Sequence, residues 1–309
     1  MNQSKIDILI KALIDEQKDI NLTDLFNMFI NHSKTKCRFG TIDRYTKDFG
    51  IINSFLFKNN IMTVNALNVN VLDKFVNYCK SRNNKPITIN QYISILKFMI
   101  NYAIKNDLIN ENPIRHFEKV KEDTYNGDVL NQEQVTSILR YVDSKPNTIW
   151  DLKMKCMVYI MFDTGVRMNE LLHIKFSDLK LNENKIQLSY TKAHENRCVY
   201  IVDKTKKTLQ TYVQRVQNVG YLFSNIDNQL CSISYRRYLR SIGKELNLPF
   251  ELNNRLIRRT FATLLAEQNI NISYLMELMG HHNLRTTQRY IKANKKAIQD
   301  THNLLSIVR

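Results

Sequence analysis

The feature that most constrains the fold is a run of apolar stripes at helical spacing through the first third of the chain. Leu22, Leu25, Phe26, Phe29 and Ile30 share one helical face, and Ile42, Tyr45, Phe49, Ile52 and Leu56 share another. Leu72, Phe75, Val76 and Cys79 form a third stripe, and Ile93, Leu96, Ile100 and Ile104 a fourth. A half-buried strand would alternate apolar and polar residues instead, so these segments predict helices that bury their stripes against one another. The fourth is expected to stop before Pro113, because a proline ring disfavours helical geometry in the residue ahead of it. A charged stretch with one glycine, RHFEKVKEDTYNGDV, follows. The expectation is a helical domain over residues 1–117, a linker over 118–129 and a second domain over 130–309.

In the second domain, Val135, Ile138, Leu139 and Val142 make a helical stripe, and helix continues through MKCMVYIMF until Asp163, Thr164 and Gly165 interrupt it. KIQLSY and RCVYIV are β-rich runs on either side of the polar TKAHEN, which predicts a hairpin between residues 185 and 202. Helical patterning resumes near residue 204 and runs to the end. The fold class expected is mostly α with one small antiparallel sheet.

Lys and Arg number 45 against 29 acidic residues, a formal net charge of +16, which suits a partner made of phosphates. Cys37, Cys79, Cys156, Cys198 and Cys231 are widely spaced and never form a CxxC pair, so neither a disulfide framework nor a zinc site is expected. The N-terminus mixes charges into its apolar positions, and no stretch approaches the about 18 apolar residues of a membrane span. A reduced cytoplasmic setting, close to the nucleoid, is expected. GxxxxGK, HExxH, GxSxG and a helix-opening GxGxxG are all absent, so no cofactor and no metal are expected.

The chemistry-bearing residues of the second domain are cations around helix starts. In DTGVRMNELL, Gly165 can close one helix, placing Arg167 in the first turn of the next with Glu170 three residues on. An isolated RxxE pair is also an ordinary surface ion pair. Lys192 sits in the hairpin loop, where a long cation can reach a ligand or simply be solvated. In NNRLIRRTFATLL, Asn253 or Asn254 can cap a helix with an apolar stripe of Phe261, Leu264 and Leu265, leaving Arg255, Arg258 and Arg259 in its opening turns. Arginines there oppose the helix dipole unless an anion or unseen carboxylates compensate them. In GHHNLRTTQRY, Gly280 ends a helix, His281 lies in the turn and Tyr290 follows within the next helix.

Taken together and in this order, these segments resemble the tyrosine recombinases of the phage-integrase family. TGVRMNELL resembles that family's TG-x-R-x-x-E-LL box, TFATLL the stretch after its second arginine, and GHHNLRTTQRY its GH…TT…Y box. ITINQYISILKFMINYAIKNDLINENP is similar to the last helix of the family's N-terminal core-binding domain. The resemblance implies that Arg167 and Arg258 grip a scissile DNA phosphate and Tyr290 attacks it. It also implies that Lys192 protonates the departing 5′ oxygen, His281 hydrogen-bonds the phosphate and Glu170 supports the arginines. It further implies a homotetramer on double-stranded DNA with a C-terminal helix that docks on a neighbouring subunit, a Holliday-junction intermediate, and accessory bending or directionality factors.

One departure stands out. The family's HxxRH box reads RLIRR here, with Arg255 and Arg259 at the histidine positions. Arginine donates forked hydrogen bonds but accepts no proton, so either Arg255 acts on the tyrosine electrostatically, or water or another nearby side chain takes the proton. The integrase of a mobile element is the expected role. A Xer-like resolvase of chromosome or plasmid dimers shares the same boxes, and a DNA-binding regulator without catalysis is the alternative of another class.

Overall fold

A computed structural model describes residues 19–122, 127–189, 196–216, 220–224, 232–268, 270–288 and 290. The chain forms two compact units, Met1–Tyr125 and Asn126–Arg309.

The first unit contains α1 (Leu22–Lys34), α2 (Phe39–Lys58), α3 (Val69–Ser81) and α4 (Pro86–Lys105). The apolar stripes meet in its centre, where Leu25, Ile52, Leu72, Leu96 and Ile100 are fully buried. Phe26 of α1 stacks on Phe49 of α2. Asn21 and Asn68 cap α1 and α3 by accepting the amides of Thr23 at 2.8 Å and Val71 at 3.0 Å. After α2, α3 and α4 the chain turns through Asn60, Asn83 and Asp107, at φ of 58°, 56° and 54°. Short polar side chains tolerate that left-handed geometry, which lets a chain with 7 glycines end its helices without using one at each site. This turn closes α4 at Lys105, well ahead of Pro113. The chain beyond α4 stays on the same core through Ile109, Ile114 and Phe117. Asn90 of α4 clasps it further on, donating to the Val120 carbonyl at 2.8 Å and accepting the Val120 amide at 2.9 Å.

The second unit contains α5 (Gln132–Asp143), α6 (Ile149–Thr164), α7 (Met168–Leu172), β1 (Leu179–Lys180), β2 (Lys185–Leu188), β3 (Arg197–Tyr200), α8 (Asp203–Arg215), α9 (Ser232–Glu245), α10 (Asn254–Glu267), α11 (Ile272–Met279) and α12 (Leu284–Gln288). Met154, Cys156, Met157, Val158, Ile160 and Met161 are all fully buried, so α6 is enclosed on every side. α5, α8, α9 and α10 pack around it. β2 and β3 form the expected antiparallel hairpin, pairing Ile186 with Val199 and Lys185 with Tyr200. β1 adds a third strand in the order β1-β2-β3, and at 2 residues it is too short for periodicity to announce it. The fold is therefore mostly α with a small antiparallel sheet.

α10 buries a different face from the stripe expected. Leu256, Ile257, Thr260, Ala262 and Thr263 are buried, while Phe261, Leu264 and Leu265 are partly covered. Thr260 can enter the interior because its hydroxyl accepts the Leu130 amide at 3.0 Å. Among the described residues no helix is long and apolar enough to cross a membrane, and no group of three or more His, Cys, Asp or Glu is placed to hold a metal ion. The apolar pattern of the C-terminal tail, from Ala297 to Val308, lies outside the described residues.

Candidate active site

The site begins where α6 ends. Gly165 adopts φ +59° and its amide donates to the Met161 carbonyl at 3.0 Å. A Cβ at Gly165 would collide with the Phe261 ring, so both conformation and space require glycine. The turn sets Arg167 at the N-cap of α7, one residue before the helix rather than within its first turn. Its backbone amide donates to Glu170 Oε2 at 2.7 Å, and its guanidinium Nη1 donates to Oε1 at 2.9 Å. Glu170 is 3% exposed, and Arg197, the first residue of β3, donates to its Oε2 at 3.0 Å. Burial works to raise the Glu170 pKa, but the Arg197 charge and the Arg167 amide and guanidinium outweigh it and hold the carboxyl below its ordinary value.

The C-terminus of α11 organises the rest. Gly280 adopts φ +60° there, its amide donates to the Glu277 carbonyl and the His281 amide donates to the Met276 carbonyl, both at 2.9 Å. The next three carbonyls accept from three different arginines. Arg197 donates to Leu278 at 2.8 Å, Arg258 to Met279 at 2.5 Å and Arg167 to Gly280 at 2.7 Å. Arg258, on α10, also donates to the Gly165 carbonyl at 2.5 Å. The helix end thus has its free carbonyls satisfied, and the negative end of its dipole faces three cations. Burial and the neighbouring Arg167 push the Arg258 pKa down to about 10, so it is still a cation at neutral pH.

Arg258 also lies 3.1 Å from His281 Nε2, and His281 Nδ1 lies 2.8 Å from the hydroxyl of fully buried Thr287. A guanidinium only donates, so Nε2 accepts and the Nδ1 hydrogen goes to Thr287. The Tyr290 ring lies nearly parallel to the His281 ring, with centroids 6.3 Å apart and an interplanar angle of 13°. Tyr290 packs at the edge of a small apolar cluster of Ala262, Leu275 and Met279, and its amide donates to the Thr287 carbonyl at 2.9 Å.

Five of the residues singled out in the sequence, Arg167, Glu170, Arg258, His281 and Tyr290, therefore converge from α7, α10 and the turns flanking α12. Arg255 does not join them. It is exposed in the first turn of α10, and its side chain pairs with nothing among the described residues. Asn253 is the cap of that helix, accepting the amides of Arg255 and Leu256 at 3.0 Å each. Arg258 and Arg259 are compensated by backbone carbonyls, Gly165 and Met279 for the first and Asp128 for the second, rather than by carboxylates alone. Lys192 lies outside the described residues. Arg197 was not singled out, and the only local signal for it is a charge opening an otherwise apolar strand. Among the described residues the cluster sets three guanidinium charges against one carboxylate, an arrangement suited to an added anion.

Both units of the chain are similar to known proteins. Residues 128–297 match the Phage integrase family, and residues 21–121 match the Phage integrase SAM-like domain. The tyrosine recombinase XerD of Oceanobacillus iheyensis is 24% identical over 237 residues, covering 74% of this chain and 78% of that protein. The tyrosine recombinase XerA of Saccharolobus solfataricus is 31% identical over 209 residues, covering 67% of this chain and 63% of that protein. Among solved structures, the Tn1549 transposon integrase in complex with transposon right end DNA superposes with a TM-score of 0.77 at 18% identity, covering 93% of this chain and 100% of that one. The chain belongs to the phage integrase family, and it is a tyrosine recombinase, a member of an enzyme class that cuts and rejoins DNA.

Proposed function

We propose that this chain is a site-specific recombinase acting for a mobile genetic element, which cleaves duplex DNA through a 3′-phosphotyrosine at Tyr290. The observation that carries this reading is the convergence of Arg167, Arg258 and His281 beside Tyr290. Displacement at a phosphodiester passes through a pentavalent phosphorane with added negative charge, so fixed cations stabilise it more than the ground state. In this reading Arg167 and Arg258 hold the non-bridging oxygens, Glu170 holds Arg167 in place, and His281 donates to one of those oxygens in the tautomer that carries its hydrogen on Nε2, with Nδ1 then accepting from the Thr287 hydroxyl. Lys192 protonates the leaving 5′ oxygen, a role that rests on the resemblance alone. Tyr290 loses its proton to water or a neighbouring side chain, and any help from Arg255 is electrostatic. The phosphotyrosine conserves the bond energy, so religation by a 5′ hydroxyl requires neither ATP nor a metal ion. DNA as partner is supported by the net charge of +16 and by the structural similarity to a transposon integrase bound to transposon end DNA. A homotetramer, a Holliday-junction intermediate, accessory factors and a cytoplasmic, nucleoid-associated location belong to the same reading.

The test is a nicked suicide duplex carrying the site that the protein selects from a random library. The wild-type chain forms a covalent adduct that persists in EDTA, and Tyr290→Phe binds the duplex without forming it. An adduct in Tyr290→Phe overturns the assignment of the nucleophile. Binding without any wild-type adduct returns the chain to the reading of a DNA-binding regulator. A second enzymatic role, resolution of chromosome or plasmid dimers, is favoured by the relatives named XerD and XerA. Mapping the recombined sites in cells separates the two, since one set lies at element ends and the other at dimer-resolution loci.

A further inference from the structure

We propose that Arg197 is a positioning residue for strand cleavage, holding Arg167 and the turn before His281 in their working places through Glu170 and the Leu278 carbonyl. The inference rests on the reading of the site given above. Its geometry is that of a relay in depth. Arg167 is the outer member, with 30% of its side chain exposed, Glu170 is the middle member at 2%, and Arg197 lies behind it at 15%. The two oxygens of Glu170 are used fully, one by the Arg167 guanidinium and the other by both the Arg167 amide and Arg197. Nothing in this arrangement asks Arg197 to touch DNA. Its Nη1 and Nη2 are spent on Leu278 and Glu170, and its buried Nε has no partner among the described residues.

Two further features give the side chain no alternative place. A Cβ on Gly280 would come within 2.7 Å of Arg197 Nε, so the absence of a side chain at Gly280 makes room for the guanidinium. Arg197 also opens β3, in register with Leu188 of β2, the last ladder pair before the sequence segment that carries Lys192. The same residue therefore ties the loop end of that ladder to α7 and to the end of α11. An arginine is required because only its fork reaches a carboxylate and a carbonyl at once, while a lysine offers a single nitrogen.

The experiment compares Arg197→Met and Arg197→Lys with wild type in single-turnover cleavage of the suicide duplex, across pH, beside a DNA-binding titration and a thermal melt. The ionisable groups facing Glu170 are Arg167 beside α7, Arg197 of β3 and Arg258 of α10, with His281 next to Arg258. The carboxylate supports Arg167 only when ionised, so its contribution is present above its pKa and lost as pH falls through it. Removing Arg197 raises that pKa, and the acid limb of the cleavage profile moves to higher pH. Arg197→Met is expected to cleave about 100-fold more slowly, the scale of a small misplacement of catalytic groups, with unchanged DNA affinity. Arg197→Lys is expected to restore the acid limb while recovering only part of the rate. Wild-type rate and profile in Arg197→Met overturn the proposal, as does a parallel loss of DNA binding and melting temperature in both variants. If Arg197→Met does not fold, Arg197→Lys decides: a slower rate with intact binding supports the role, and wild-type cleavage overturns it. An adduct in Tyr290→Phe would unseat the nucleophile without touching this comparison, which is made between Arg197 variants and wild type.

Discussion

The interior of the N-terminal unit and the interior of the arginine cluster exclude water by opposite means. In the first, Leu25, Ile52, Leu72, Leu96 and Ile100 close a space with hydrocarbon, and each contact is non-directional. In the second, Arg197, Arg258 and Arg167 close it around Leu278, Met279 and Gly280 with hydrogen bonds that hold only in one geometry. A hydrocarbon core tolerates small changes of shape, whereas a buried charge that loses one partner is left uncompensated. The N-terminal unit is thus built for stability, and the cluster for fixed positions of charge.

Changes in the two interiors should therefore differ in what they damage. Arg258→Ala removes a cation and leaves the Gly165 and Met279 carbonyls without their donor. It is expected to slow covalent adduct formation by about 10³-fold, or about 4 kcal/mol, the cost of deleting one transition-state donor. A loss below tenfold in single-turnover cleavage would break the comparison. Leu96→Ala opens a cavity in the apolar interior and is expected to cost about 3 kcal/mol, within the usual range for buried leucine. The measurement is the urea midpoint of the first unit, followed apart from the second because a two-unit chain need not unfold in one step. The cleavage rate of the folded, DNA-bound variant should stay within a few-fold of wild type. Arg255→His, one turn from Arg258 but exposed, should have the smallest effect, with cleavage retained within about threefold and no new limb in the pH profile. Complete loss of cleavage in that variant would place Arg255 inside the cluster after all.

The contrast also explains what could be read before the structure. Apolar stripes are local, so Leu22 to Ile30 and Ile93 to Ile104 pointed to buried helix faces from spacing alone. The glycine turns are local too, and Gly165 and Gly280 both adopt the left-handed conformation that a helix end favours. Motif order marked Arg167, Glu170, Arg258, His281 and Tyr290, residues that the fold gathers from segments up to 123 positions apart (290 minus 167). The partners of the arginines were not legible, because a backbone carbonyl carries no residue identity. Arg197 escaped for a related reason: its carboxylate partner, Glu170, lies 27 residues away, outside any helical or strand repeat. Thr260 broke the expected stripe of α10, since a hydroxyl with a partner is as much at home inside as a methyl group. Short β1 gave no pattern at all.

The carbonyls of Leu278, Met279 and Gly280 have one more consequence. Successive carbonyls on a helix differ by about 1.5 Å along the axis and about 100° around it, and the left-handed turn at Gly280 redirects the third, so the end of α11 is a fixed scale against which three cations are indexed. Inserting or deleting one residue ahead of Leu278 would shift each acceptor to its neighbour's position and put all three guanidinium groups out of register together. The length of that short helix therefore sets the register of the positive charges, and it should tolerate changes of residue type more readily than changes of number.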